Sequence, residues 1–531
     1  MDKKLNFMLL FLALLAVISA SACIGEEKSG AAKSTGSEKA GPEQALQELV
    51  VGISTDVNNW NIELFPDGDG RFVWSQVYET LVRLDPDLQL KPGLATSWET
   101  PDKGKTWVFH LREGVTFHDG TPFNADAVVF SYKENSYSRQ AMLRAIDHVE
   151  ALNASTVKFV LKKPMSLPFY LTHIAWPVMS PTCVDKEGKF IKPIGTGSFK
   201  FEKQVKGQEI ELVRNEEYWG NKSELTKVTF KVIPEVSTRV MALETGEVDM
   251  ILKVPEYDVT RLEKEQGINV YKKHTTFTDF LQFNCKKSPF DDKKVRQSIA
   301  YAVDTDQIVK TVLNGIGTPA KGRPYSPIML YSNPGLKVYS PDPEKARALL
   351  AEAGWKDTDG DGILDKNGKP LQVKLLVGKG EWADRHNQMA QVLQAELKKV
   401  GIVLEIQTLE GGAISSLENS GDFDIILRSG YYVWGPYPKH FFIHTSMCPN
   451  SHYSNESYDK LEDEADSTID PEKQKELYYA LQDFVIEEVP AFYLVHEEKV
   501  IAASSSVRGY TISAEDPWLN LEGVYLDNKS E

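Results

Sequence analysis

A chain of 531 residues with a formal net charge of −16 exceeds what one hydrophobic core usually supports, so two or three domains are expected. The acidic balance excludes a nucleic-acid binder, because no run of Lys and Arg forms a basic stripe that could displace phosphate counterions. Aromatic residues make up 10% of the chain, with 10 Trp, a composition that suits the walls of a pocket for a sugar, peptide or chelate.

The chain opens with Lys3 and Lys4, an apolar run from Phe7 to Ile18 and the small residues Ser19 to Ala22 before Cys23. Residues 1–22 therefore read as a secretory signal too short to span a membrane. Small residues ahead of a cysteine resemble the lipobox of prokaryotic lipoproteins, which implies a lipid on Cys23 and a membrane anchor. Residues 23–48 have the Lys, Glu, Ser, Gly and Ala composition of a tether.

Globular patterning begins at Leu49. LVVGIST reads as a buried strand and Phe72 to Leu81 as a helix with an inward apolar face. Alternating Trp107, Phe109 and Leu111 predict a strand, His118-Asp119-Gly120 a tight turn and Asn124 to Asp126 a helix start. Farther on, PDPEKARALLAEAGW (Pro341 to Trp355) predicts a helix closed by Gly354. Strand Val373–Val377, helix Arg385–Val400 and strands Val403–Thr408 and Phe423–Leu427 alternate as in an α/β lobe. A polar helix over Asp459–Val485 and a strand over Phe492–Val500 complete the reading.

Several of these segments carry a family pattern. PGLATSWETPDKGKTWVFHLREGVTFHDGTPFNADAVVFS (Pro92 to Ser131) closely resembles the family 5 extracellular solute-binding proteins of ABC importers, whose members bind oligopeptides, dipeptides, nickel or nickel chelates. PIGTG (Pro193 to Gly197), VRNEEYWG (Val213 to Gly220), VIPEV (Val232 to Val236) and LETGEVD (Leu243 to Asp249) extend the resemblance, as does Asp291 to Asp304. It implies an α/β fold of the type II periplasmic-binding-protein kind, with two lobes and an extra subdomain in the first. The implied division is a first lobe over 49–285 with its subdomain at about 82–200, a second lobe over 286–484, and a return to the first over 485–531. The implied partners are an ABC permease and its ATPase subunits, with the receptor a monomer. No Gly-rich phosphate loop, HExxH or GxSxG occurs, so no enzyme is expected. A secreted metal-dependent hydrolase is the weaker reading, for want of a general base.

One stretch concentrates soft ligands, RSGYYVWGPYPKHFFIHTSMCPNSHY from Arg428 to Tyr453. His440 and His444 are four apart, the spacing that puts two imidazoles on one helix face, while Pro449 places Cys448 and His452 on a following loop. Tyr432, Trp434 and Tyr437 stand beside them as pocket walls. The expected metal ligands are His440, His444 and His452, with Cys448 as a fourth. Histidines next to aromatics are usually core or interface residues satisfied by backbone, and that is the alternative for this stretch. The run WGPYPKH resembles that of nickel-binding family members and lacks the Asp with which peptide-binding members grip an amino terminus. The same resemblance brings Arg139, Met142 and Trp176 to the ligand. The expected cargo is thus nickel, free or as a small chelate, with peptide as the alternative.

Two further readings remain open. Asp357, Asp359, Asp361 and Asp365 are spaced as a calcium loop begins, but without its closing Glu, and a hairpin turn explains them equally. With Cys23 lipidated, Cys183, Cys285 and Cys448 are left, and a Cys183–Cys285 disulfide would leave Cys448 free.

Overall fold

The computed structural model describes residues 47–62, 68–132, 145–380, 383–431, 452–515 and 518–527. Its backbone is one 11-stranded mixed sheet. The strands run in the order Val403–Leu409, Gln372–Gly378, Ile425–Tyr431, Ile268–Phe283, Ala491–Ser504, Met250–Leu252, Glu48–Ile53, Lys227–Val232, Glu209–Arg214 and Phe199–Val205. A short strand, Thr318–Pro319, also pairs with Ala491–Ser504. A separate four-stranded antiparallel sheet holds Ala95–Glu99, Thr106–Leu111, Thr156–Leu161 and Ile146–Asn153.

Two long antiparallel strands, Ile268–Phe283 and Ala491–Ser504, tie the halves together. Near one end they adjoin Met250–Leu252, and near the other Ile425–Tyr431. Strand side chains alternate between faces, and these two strands use that alternation to serve two cores. Phe280 and Tyr493 enter a first core with Leu49, Trp74, Phe109 and Phe230. Leu281, Phe283, Phe492 and Leu494 enter a second with Ile299, Leu350, Leu375 and Met389. The first core also takes Tyr458, Tyr478 and Leu481, so the segment read from sequence as second lobe contributes side chains to both cores.

Local differences from the sequence reading have local causes. The helix read as Phe72–Leu81 is Gly70–Val77, with Tyr78 already extended. The Val77 carbonyl is taken by the Gly197 amide at 3.0 Å. A Cβ on Gly195 would lie 2.0 Å from that carbonyl oxygen, so the PIGTG loop reaches the helix end only as glycine. The polar helix read as Asp459–Val485 is two helices, Glu456–Ser467 and Pro471–Glu488. Asp470 caps the second by accepting from the Lys473 amide, with Pro471 in its first turn, a start signal inside an otherwise continuous pattern. Pro343–Glu352 forms under its Asp342 cap, and Gly354 follows at φ +89°.

Candidate functional site

The register between the two crossing strands breaks twice, between His274 and Thr278 and between Asp279 and Phe280. Such bulges bend a ladder and re-aim its side chains. Here they coincide with a cluster of charge. Asp279 is fully buried, and the side chain of Glu497 is only 9% exposed. Arg385, in the first turn of the helix Ala383–Lys398, reaches Asp279 at 3.2 Å, Glu497 at 3.0 Å and Glu256 at 3.2 Å. His386 donates from Nε2 to Asp279 at 3.0 Å, and the Ser429 hydroxyl donates to Glu497.

Burial works to raise both buried carboxyls, but Arg385 and His386 outweigh it at Asp279, which is held below the usual carboxylate range. At Glu497 burial wins over Arg385, and the pKa is raised. A cavity beside the cluster is lined by Lys253, Glu256, Thr275, Phe277, Arg385 and Lys499. Lys253 is itself paired with fully buried Asp69 at 2.7 Å, and Lys499 donates to the Glu515 carbonyl at 2.6 Å. A second cavity, about 500 Å³, is lined by Glu79, Arg83, Arg112, Tyr218 and Trp518 and by no residue of the crossing strands.

Of the residues singled out in sequence, Tyr432, Trp434, Tyr437, His440, His444 and Cys448 lie outside the described residues, as do Arg139, Met142 and Cys23. Their neighbours are described. Tyr431 ends the strand Ile425–Tyr431 opposite Phe277, at the bulged part of the crossing strands. His452 has φ +55°, donates from Nε2 to the Glu418 carbonyl at 2.6 Å and sets its ring edge-on to Phe423 at 5.3 Å. That hydrogen bond leaves the ring's lone pair on Nδ1. Trp176 is 1% exposed within the first core, and its carbonyl accepts from the Tyr132 hydroxyl at 2.6 Å.

Asp357, Asp359 and Asp361 each offer a carboxylate oxygen within 4.8 Å of the others, all exposed. They already accept backbone amides: Asp357 from Gly360 and Gly362, Asp359 from Asp361, and Asp361 from Ile363. Asp365 faces another way, accepting from the Thr358 amide and hydroxyl. Cys183 and Cys285 are both free thiols, which removes the disulfide. Burial pushes them up to about 12 and about 11. His118 accepts from the Gly195 amide at Nδ1 and donates to the Gly197 carbonyl at 2.9 Å, so it locks the PIGTG loop.

Residues 89–453 match the model of the bacterial extracellular solute-binding proteins, family 5. The chain is a family 5 extracellular solute-binding protein. It is 30% identical to the oligopeptide-binding protein AppA of Bacillus subtilis, over 99% of each chain. It is 32% identical to the nickel-binding periplasmic protein of Escherichia coli, over 76% of this chain and 79% of that one. The crystal structure of NikA from Brucella suis in complex with Fe(III)-EDTA superimposes with a TM-score of 0.83 at 27% identity, covering 90% of this chain and all of NikA.

As a family 5 solute-binding protein the chain has the two-lobed α/β fold, works outside the cytoplasm, delivers its ligand to an ABC permease and is not an enzyme. Among the described residues no helix is long and apolar enough to cross a membrane. Sequence reasoning missed the Arg385 cluster. Its signal was there: Asp279 sits inside the strand segment FTDFLQF, and Glu497, Glu498 and Lys499 inside FYLVHEEKVIAA. Charges within strands buried on both faces are unusual unless they are paired.

Proposed function

We propose that this solute-binding protein captures nickel, bare or as a small chelate, and hands it to the permease while anchored to the membrane through lipidated Cys23. One observation carries the cargo reading. His440, His444, Cys448 and His452 all lie in the stretch that follows the strand Ile425–Tyr431, which pairs with the crossing strand Ile268–Phe283. Divalent nickel favours imidazole nitrogen and tolerates thiolate. The 32% identity to a nickel-binding relative supports the same reading. With Nε2 of His452 engaged by Glu418, its coordination would use Nδ1.

The test is metal analysis of untagged protein, followed by calorimetric titration with nickel alone and with L-histidine. Wild type is expected to retain nickel, and the triple variant His440→Ala, His444→Ala, His452→Ala to lose it. Equal binding by wild type and triple variant would sink the reading. A second reading, oligopeptide cargo, is favoured by the match to AppA over 99% of both chains. A peptide library yielding a tight ligand for the triple variant would establish it instead.

A further inference from the structure

We propose that Glu256 and Arg385 form an inter-lobe latch, a positioning pair that holds the lobes together across the hinge before cargo arrives. The inference rests on the two-lobed fold and the pair's geometry and is independent of which cargo is bound.

Each partner belongs to a different body. Arg385 stands in the first turn of Ala383–Lys398, whose Met389, Ala390, Leu393 and Leu397 are buried in the second core. Glu256 opens the helix Glu256–Leu262, whose Val259 and Leu262 pack with Val240, Leu243 and Ile251 against the first-lobe part of the sheet. The other anions on Arg385 ride on the crossing strands, Asp279 on one and Glu497 on the other. A rotation at the bulges can keep those two contacts, because Arg385 sits beside the strands about which the lobes turn. It cannot keep the contact to Glu256, which travels with the first lobe. Hinge closure of this kind is absorbed by a few residues at element ends or irregularities.

The strength of the pair also suits a latch. Glu256 is 23% exposed at its side chain and Arg385 10%, with 3.2 Å between them. A fully desolvated pair would resist opening, and an exposed one would contribute little. A partly screened pair shifts a two-state balance by a modest factor, and cargo affinity scales with the competent fraction.

Small-angle scattering of the full, cargo-free chain tests this. Glu256→Gln keeps Arg385 neutralised by Asp279 and Glu497, so the fold is retained. It is expected to enlarge the radius of gyration, and 1 M NaCl should enlarge that of wild type, since salt screens a partly exposed pair. Glu263→Gln is the control: Glu263 pairs with Lys272 at 2.7 Å within the first-lobe part of the chain, and its loss should leave the radius unchanged. Saturated with nickel and L-histidine or, if the protein takes peptide instead, with the tightest peptide from the library, Glu256→Gln should return to the wild-type radius while its Kd for that probe rises roughly tenfold. If Glu256→Gln does not fold, Glu256→Asp and the salt series on wild type carry the test. A radius indifferent to the substitution or, with Glu256→Asp, to salt overturns the latch, and so does an equal change in the Glu263→Gln control.

Discussion

Two groups of carboxylates in this protein solve the same problem differently. Around Arg385, Asp279 and Glu497 lie where water is excluded, and a guanidinium on another element neutralises them. On the acidic loop, Asp357, Asp359 and Asp361 stand in solvent and are satisfied by amides of their own turn. Buried anions need a fixed counter-charge brought by the fold, whereas exposed ones need only local backbone. The first arrangement couples distant segments and the second couples none.

The largest test of that contrast is Arg385→Ala. It would leave Asp279 and Glu497 buried without their cation, a class of change that costs about 3–5 kcal/mol. The denaturant midpoint should fall accordingly, and an unchanged midpoint would mean that the cluster is solvated after all. Next comes acid. Burial pushes His496 and His173 down to about 3, and His118 to about 4. These rings stay neutral in the fold but take protons near pH 6.5 when unfolded. Their folded pKa is depressed, so the stability they contribute is present above pH 6.5 and is lost as pH falls toward 4, by about 3 kcal/mol for His496. Glu396, pushed up to about 7 by burial, runs oppositely and destabilises as pH rises from 4.5 to 7. Thermal melts from pH 7 to 4 should show a steep acid limb, flatter in His496→Gln. A variant limb as steep as wild type would remove His496 from the account.

A smaller effect is expected at the helix start inside the polar run. Asp470→Ala removes the side-chain acceptor of the Lys473 amide and should cost about 1 kcal/mol, read as a shift in melting temperature. The smallest belongs to the acidic loop. Asp359→Asn should move stability by no more than about 0.5 kcal/mol, because it keeps an oxygen for the Asp361 amide and touches no other element. A loss of several kcal/mol would show that the loop does more than turn the chain.

Legibility followed the range of the interactions involved. Strand Gln372–Gly378, the helix capped by Asp342 and the helix Ala383–Lys398 were readable within a residue or two. Their periodicity and caps are local. The end of the helix Gly70–Val77 was not readable, because Gly197 imposes it from 120 residues away by taking the Val77 carbonyl. The ligand stretch was readable as a concentration of His, Cys and aromatics. The charge cluster at the crossing strands was passed over: the charges inside the two strands were visible, but only the fold shows that Arg385 is the cation that joins them.

By itself, then, the sequence determined the class of the fold, the family and most element positions, because hydrophobic period, turn chemistry and motif spacing are properties of short windows. Only the tertiary structure decided that Cys183 and Cys285 stay reduced thiols, that His118 locks a loop, and that one arginine joins both crossing strands to both lobes. Those outcomes depend on which groups meet after the chain has folded. Burial then decides what each meeting is worth, since it strips the water that would otherwise screen a charge or satisfy a polar atom.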